Sequence, residues 1–357
     1  MKKILRTLVL LLAAINGLTA TAQSETLSRG IVSIHKTSGG NFVSWRLLPS
    51  DPKGVTFDLL RDGAKIKTGL TVTSFADANG TTAHRYQVVA RADGQDIDTS
   101  REAQTWSGVF KTMTLERPEG GSFSYTKGQL RHNLPSKDSI GYYTYYAMEG
   151  SMGDADGDGE LELVVKFNLG PNIRTGSHYT QFLYYDFNGD GRCELICKTG
   201  PGSVDGQGRY VSEAADDETI RATDNSRDYR TTLGRIMSGP EFLTVFDGLS
   251  GRAMHTIWYN PNRGMTTGRA SGYTESWGDD YGNRGEHFLA CAAHLDGPDK
   301  PASAVMCRGY YTRAYLWADG HLRDSCPFLR RPRRAVGRHR AHRRHHSRRH
   351  QHPDDGP

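Results

Sequence analysis

The sequence is poor in cysteine, has no long hydrophobic run, and from about residue 120 onward lacks a convincing amphipathic-helix pattern. No segment reaches the about 20 consecutive apolar residues that a membrane-spanning helix needs. No CxxC pair or Cys/His set with zinc spacing occurs. In a chain of 357 residues, five cysteines do not make a disulfide framework. We therefore expect no transmembrane segment, no cysteine nucleophile, and free buried thiols at Cys193, Cys197, Cys291, Cys307 and Cys326.

The first residues have the pattern of a secretion signal. Lys2, Lys3 and Arg6 form a basic segment, residues 8–15 an apolar core, and residues 20–22 an A-x-A cleavage site. We expect a signal peptide over residues 1–22 and a mature protein that is secreted or periplasmic.

Positive charge is concentrated at the C-terminal end. The formal net charge is +5, but residues 330–357 contribute +8, so the remaining residues sum to about −3. A polybasic arm for nucleic acid is one interpretation. The other is a shifted reading frame from about residue 319, because a good strand pattern at 309–317 gives way abruptly to Arg/His-rich sequence. We favour the second, and expect a disordered tail over residues 319–357 and no nucleic-acid partner.

Alternating apolar and polar residues, separated by Gly, Asp and Pro turns, predict β-structure on both sides of residue 120. Residues 24–115 read as a small β-sandwich that resembles fibronectin type III modules, with Trp45 and Tyr86 in its core. Residues 120–317 read as short strands and hairpins, one of them over residues 242–257, as in propeller blades.

Two acidic loops in the second region have the same pattern. Residues 154–162 read Asp-x-Asp-Gly-Asp-Gly-x-x-Glu and residues 186–194 read Asp-x-Asn-Gly-Asp-Gly-x-x-Glu. Each is followed by an apolar run that ends in lysine, so the loops lie on a β-scaffold and not between EF-hand helices. Side-chain oxygens at positions 1, 3, 5 and 9 and a carbonyl at position 7 suit calcium. The predicted ligands are Asp154, Asp156, Asp158, Glu160, Glu162, Asp186, Asn188, Asp190, Arg192 and Glu194.

A single Asp-Gly stretch is often an ordinary turn, but two copies with matching spacing favour calcium, in a structural role. The copies start only 32 residues apart, whereas a four-stranded blade takes about 40 to 50 residues. Either the first blade is incomplete, or sequence has been lost between Lys166 and Asn172.

Several stretches, in order along residues 28–317, together resemble the rhamnogalacturonan lyases of polysaccharide lyase family 11. They are residues 29–32, 44–46, 153–159, 172–182, 185–191, 198–202, 246–248, 281–284 and 308–313. The resemblance implies a secreted, calcium-rich, eight-bladed β-propeller that cleaves the rhamnogalacturonan I backbone of pectin by β-elimination. We expect an all-β fold: a fibronectin-III-like sandwich followed by an incomplete calcium-binding propeller, acting as a monomer on that polysaccharide.

The chain departs from the family pattern in two places. The stretch after Lys166 lacks the polar segment and paired strands that family members carry there, and the sequence stops or changes frame about halfway through the expected propeller. We therefore expect the lyase activity of this chain to be impaired.

Elimination from a galacturonate needs a base for the C5 proton and a cation beside the carboxylate. Polar, Gly-containing loops supply candidates, of which His178 and Arg284 come first. The alternative for each is structural, because Arg and Tyr at blade edges commonly link neighbouring blades. The predicted catalytic residues are Arg174, His178, Tyr281, Arg284 and Arg308, with Tyr311 and Arg313 beside them.

Two other functions fit parts of the sequence. A calcium-stabilised carbohydrate-binding or adhesion propeller would carry the same acidic loops, but does not need the cationic clusters at 281–284 and 308–313. An inactive fragment fits the missing blades.

Overall fold

The computed structural model describes residues 27–125, 139–167, 170, 172–173, 181–230, 236–261, 277, 282–297, 300–310 and 314–320. These residues form short antiparallel strands, with a four-residue 3-10 helix at Val211–Ala214 and a four-residue α-helix at Glu218–Arg221. The predicted all-β class is therefore confirmed. In the part of the chain that the structure describes, no helix has the length and apolarity to cross a membrane. The predicted signal peptide lies outside the described residues, as does the predicted tail beyond residue 320.

Residues 27–106, the two-sheet unit, consist of two sheets that face each other. One sheet has the order β1 (Val32–His35), β2 (Asn41–Ser44), β5 (Ser74–Asp77). The other has the order β4 (Ala64–Leu70), β3 (Thr56–Arg61), β6 (Arg85–Ala92), β7 (Gln95–Thr99), with β8 (Ala103–Gln104) also beside β6.

The core of the two-sheet unit is aromatic and aliphatic. Trp45, beside the first sheet, packs edge-on against Phe57 of the second at 5.6 Å between ring centroids. Tyr86 has no exposed surface, and its hydroxyl donates to Asp77 at 2.7 Å. The prediction that Trp45 and Tyr86 are core residues is confirmed, because both rings lie between the sheets.

Residues 121–320, the sheet stack, contain the remaining strands. Two hairpins come first: β9 (Gly121–Tyr125) with β10 (Ser139–Tyr143), and β11 (Glu149–Gly153) with β12 (Glu162–Lys166). A four-stranded sheet follows, in the order β13 (Phe182–Tyr185), β14 (Glu194–Thr199), β15 (Phe242–Asp247), β16 (Ala253–Trp258). A three-stranded sheet comes last, in the order β17 (Phe288–Ala293), β18 (Ser303–Arg308), β19 (Tyr315–Gly320). The predicted hairpin over 242–257 is β15–β16.

The four-stranded sheet is covered on both faces. One face packs on the three-stranded sheet through a cluster that includes Ile196, Val245 and Met306. The other packs on the two short helices through Cys197, Val211 and Phe246. The first strands β11, β13 and β17 approach one another, so the three sheets lie side by side along one row of strands.

The cysteines follow the alternation of these strands. Cys193 and Cys197 are free and buried, as predicted. The prediction is wrong for Cys291, which is exposed, and Cys307 is half-buried. Both lie on the face of β17 and β18 that points away from the four-stranded sheet, since the neighbouring residues Phe288 and Met306 point toward it.

Gly248, just after β15, allows the closest approach in the sheet stack. A Cβ there would lie 1.9 Å from the backbone oxygen of Cys193, whereas a Cβ at Gly108 would meet nothing within 4 Å. Gly248→Ala should therefore lower the free energy of unfolding by about 2–3 kcal/mol, and Gly108→Ala should change it by less than about 0.5 kcal/mol. Urea unfolding of both variants checks this. Equal midpoints would show that the backbone around Cys193 yields freely.

Candidate functional site

The first acidic loop, residues 154–162, folds around the side chain of Asp154. Its carboxylate accepts from the backbone N–H of Gly157 at 2.7 Å and of Gly159 at 2.7 Å. Glu162 accepts from the N–H of Ala155 at 2.7 Å. Carboxylate oxygens of Asp154, Asp156 and Glu162 all lie within 4.8 Å of one another.

The second acidic loop, residues 186–194, repeats this arrangement. Asp186 accepts from Gly189 N–H at 2.6 Å and from Gly191 N–H at 2.9 Å. Glu194 accepts from the N–H of Phe187 at 2.9 Å. The glycines of both loops have positive φ, between 79° and 88°, which a residue with a Cβ rarely adopts. The repeated motif therefore specifies one loop conformation twice.

The charges of these loops differ with their burial. Burial, with the nearby charges of Asp186 and Asp190, raises the pKa of Glu194 to about 8. Burial also raises the pKa of Asp186. In the first loop, the backbone N–H of Glu160 and the guanidinium of Arg101 lower the pKa of Asp158. A buried group of carboxylates is the environment that a bound cation stabilises, and an all-oxygen donor set suits a hard cation such as calcium.

The opposite end of the strands contains a different charge cluster. Lys198 Nζ lies 3.0 Å from Glu241 and 3.3 Å from Glu286, and all three side chains are at most 2% exposed. Arg308, fully buried, pairs with the same two glutamates. We call these four residues the charge ring, because each glutamate uses its two oxygens to bridge the two cations.

The charge ring joins neighbouring sheets. Lys198 lies near the end of β14, and Glu241 directly precedes β15. Glu286 lies just before β17, and Arg308 is the last residue of β18. Lys198 also lies over the ring of Phe288 at 4.5 Å. A neutral, fully paired set of this kind satisfies the charges that burial would otherwise destabilise.

Arg308 was predicted to be catalytic, and the structure places it inside the charge ring. Its Nε donates to the carbonyl of Gly285 at 2.8 Å, and its Nη1 donates to the carbonyl of Pro261 at 2.9 Å. These contacts match the alternative given from the sequence, an arginine that links neighbouring sheets. A catalytic role for Arg308 stays a prediction.

Arg284 lies half-buried in the segment 282–287, directly before β17. Its guanidinium donates to the carbonyl of Trp277 at 3.5 Å. In the same segment, the amide of Asn283 donates to the hydroxyl of Tyr310, and the ring of His287 lies 4.6 Å from that of Tyr310. The structure thus gathers a cation, an amide, an imidazole and a phenol beside the charge ring.

The other predicted catalytic residues fall outside the described part of the chain: Arg174, His178 and Tyr281, with Tyr311 and Arg313. Their roles stay predictions. The sequence analysis had not singled out Lys198, Glu241 and Glu286 as site residues. One signal was available for Lys198: both acidic loops lead into a strand that ends in a lysine, and Lys166 is likewise buried and paired, with Glu149.

The acidic loops and the charge ring lie at opposite ends of the same strands. Glu194 begins β14 and Lys198 is its next-to-last residue, about 13 Å away at the usual rise of a strand. The loop between β17 and β18 lies at the same end of the strands as the acidic loops. There the hydroxyl of Tyr185 and Nε2 of His294 are 3.2 Å apart. A cation in the second acidic loop would therefore lie at the end of β14 opposite to the charge ring.

Removing one member of the charge ring should destabilise the chain far more than removing Arg284. Arg308→Met leaves two buried glutamates with a single cation and should cost about 3–5 kcal/mol. Arg284→Met, at a half-buried position in the neighbouring segment, should cost about 1 kcal/mol or less. Urea unfolding of the two variants makes the comparison. Similar midpoints for both would mean that the ring does not support the fold.

Two family models match the sequence. Residues 22–106 match the model described as "Rhamnogalacturonan I lyases beta-sheet domain". Residues 166–328 match that described as "Rhamnogalacturonan lyase family 11, C-terminal domain".

Curated and solved relatives agree with these models. The chain is 36% identical over 340 residues to rhamnogalacturonan endolyase YesW of Bacillus subtilis (strain 168), covering 85% of this chain and 49% of YesW. It is 38% identical over 344 residues to rhamnogalacturonan exolyase YesX of the same organism, covering 86% of this chain and 50% of YesX. The crystal structures of YesX and YesW superpose on 84% of the chain with TM-scores of 0.67 and 0.68. The chain spans about half the length of these relatives.

Proposed function

Because the chain belongs to rhamnogalacturonan lyase family 11, we propose that it cleaves the rhamnogalacturonan I backbone of pectin by β-elimination. The observation that carries this proposal is the match of two lyase models, in order, to residues 22–106 and 166–328. A carbohydrate-binding or adhesion propeller is not favoured, since the similar proteins YesW and YesX are both named lyases.

The reaction removes the C5 proton of a galacturonate and expels the oxygen at C4. Negative charge develops next to a carboxylate, so a fixed cation beside that carboxylate stabilises the transition state. We assign this role to Arg284, whose guanidinium is half-buried and held by the carbonyl of Trp277. Asn283 and Tyr310, joined by a hydrogen bond, lie nearby as groups that can bind sugar hydroxyls. His178, Arg174 and Tyr281 remain predicted catalytic residues, and we propose His178 among them as the base.

The charge ring has a supporting role in this proposal. Arg308 fixes the carbonyl of Gly285, next to Arg284, and Glu286 follows one residue later. Binding and catalytic groups must be held within about 0.5 Å of their working positions. Burial keeps the ring away from solvent, so it fixes the segment 282–287 without touching substrate itself.

We further propose that the two-sheet unit is a fibronectin-III-like sandwich and that the sheet stack is part of a calcium-binding propeller. The side-by-side first strands β11, β13 and β17 and the antiparallel order of the four-stranded sheet support this assignment. In this proposal the chain is exported, because a polysaccharide of the plant cell wall is reached only outside the cell that makes the enzyme. We also propose that it acts as a monomer.

Calcium is the metal that we propose for both acidic loops. Asp154, Asp156 and Glu162 would hold one ion and Asp186 and Glu194 the other, with the remaining predicted ligands completing each shell. The ion supplies positive charge that keeps the loop carboxylates together. We propose a structural role for these ions, because the second loop lies at the end of β14 opposite to the charge ring.

Calcium binding is tested on the full chain. Titration calorimetry should give two ions per chain, and Glu194→Gln should remove one of them. At a calcium concentration 100 times the dissociation constant, binding should raise the unfolding free energy by about 2.7 kcal/mol per site. The control Asp96→Asn, an exposed carboxylate of the two-sheet unit, should leave both ions in place. A chain that binds no calcium, and whose melting temperature ignores EDTA, would remove this proposal.

Lyase activity is tested by the ultraviolet absorbance of the unsaturated uronate that elimination leaves on rhamnogalacturonan I. We expect weak but measurable product formation above the heat-inactivated chain. Arg284→Ala should lower kcat/KM about 100-fold, whereas Arg252→Ala, at the opposite end of the sheet, should leave it unchanged. The proposed role of Arg284 fails if both variants retain equal activity. The proposed reaction fails if the unmodified chain forms no unsaturated product.

A further inference from the structure

The first acidic loop also contacts the two-sheet unit. The backbone N–H of Ser28 donates to the carbonyl of Gly159 at 2.8 Å, and its hydroxyl donates to Glu160 at 2.6 Å. Arg101, between β7 and β8, forms an ion pair with Asp158 at 2.7 Å. The contact surface is therefore built from two positions of the two-sheet unit and three consecutive residues of the loop.

Ser28 is held firmly on its own side. Arg46 donates to the carbonyl of Ser28 at 3.1 Å, and the N–H of Gly30 donates to the Ser28 hydroxyl at 3.1 Å. The next residue, Arg29, is buried and pairs with Asp51 through both of its terminal nitrogens, at 2.5 and 2.6 Å. These bonds set the position of Ser28 before the loop docks.

On the loop side, one residue connects the acidic cluster to the contact. Gly159 donates its N–H to Asp154 at 2.7 Å and accepts from Ser28 through its carbonyl. The carboxylates of Asp154, Asp156 and Glu162 repel one another at separations below 4.8 Å unless a cation lies among them. Their spacing therefore controls where Gly159 and Glu160 lie.

The second acidic loop shares the backbone bonds to its first and last carboxylates with the first loop, but it has different neighbours. Its residue Cys193 donates a backbone N–H to the carbonyl of Asp154 at 2.7 Å, and its Asp190 pairs with Arg192 of the same loop. It packs on the first loop and on the turn at Gly248. The second loop is thus a matched internal control for the first.

We propose that a calcium ion in the first acidic loop fastens the two-sheet unit to the sheet stack, through Ser28 with Gly159 and Glu160 and through Arg101 with Asp158. This inference rests on the calcium binding proposed above. Calcium brings the carboxylates together, fixes Gly159, and so presents the acceptors to Ser28 and Arg101. Linkage requires the reverse effect as well: docking of the two-sheet unit raises the calcium affinity of the first loop.

Hydrogen exchange and calorimetry on the full chain test this coupling. Chelation with EDTA should speed amide exchange in residues 27–46 and 154–162 of the unmodified chain. Glu194→Gln, which removes the ion of the second loop, should leave the calcium dependence of residues 27–46 intact. The double variant Ser28→Ala/Arg101→Ala should exchange rapidly in 27–46 with or without calcium. Its first-loop calcium affinity should fall about 5-fold or more.

Two further variants separate coupling from misfolding. Arg85→Ala removes an exposed arginine of the two-sheet unit that pairs with Glu102, and should retain the calcium response of residues 27–46. Arg101→Lys should restore part of the response lost in Arg101→Ala. Unchanged protection of β6 reports that each variant is folded.

The outcomes distinguish this inference from the calcium proposal. If the chain binds two calcium ions but exchange in 27–46 ignores calcium, the coupling is wrong and the calcium proposal stands. Equal first-loop affinity in the double variant and the unmodified chain would also overturn the coupling. If the chain binds no calcium, both the coupling and the calcium proposal are wrong.

Discussion

Four buried charges determine how the sheet stack is assembled. Lys198 and Glu241 come from the four-stranded sheet, Glu286 and Arg308 from the three-stranded sheet, and none is more than 2% exposed. Neither half is stable in an apolar interior alone, since each would leave a charge without its second partner. The two sheets must therefore meet in one register. The carbonyls of Gly285 and Pro261 are then fixed as well, and with them the segment that carries Arg284.

The strands of the stack are held at both ends by charge, but in different ways. At one end the cations are covalent parts of the chain: Lys198 and Arg308 pair with buried glutamates, and Lys166 pairs with the half-buried Glu149. At the other end the acidic loops leave carboxylates beside one another, and the proposed cation comes from solution. If calcium binds as proposed, this division makes the acidic loops depend on calcium occupancy and leaves the segment that carries Arg284 independent of it.

Local sequence patterns predicted the loops and strands, whose conformation depends on residues close together in the chain. They missed the charge ring, which depends on residues far apart in the chain. The Asp-Gly spacing specified both loop conformations, and alternation predicted the β-structure of residues 24–115 and the β15–β16 hairpin. The charge ring joins residues that are far apart in the sequence. Lys198 and Glu286 are 88 positions apart. Arg308 is 67 positions from Glu241 and 22 from Glu286. A lysine or arginine near a strand end normally reaches solvent, so the repeated lysine at the end of β12 and β14 was the one local signal for burial. Arg308 was predicted from its cationic loop to be catalytic, and that role stays a prediction beside the buried contacts that it makes in the charge ring.

The two acidic loops share a sequence motif but differ in what they contact, so the motif alone does not determine their role. Their bonds from backbone N–H groups to the carboxylates at positions 1 and 9 match, since similar residues at the same spacing face the same steric limits. Their surroundings differ: Asp158 meets Arg101 of another unit, while Asp190 meets Arg192 of its own loop. A calcium ion bound as proposed would stabilise either loop, but it would also stabilise a contact with another unit only in the first loop, whose carbonyl and carboxylates accept from Ser28 and Arg101. The sequence of the motif therefore determines the proposed ion site. The residues that contact the loop from outside determine how ion binding would affect the rest of the structure.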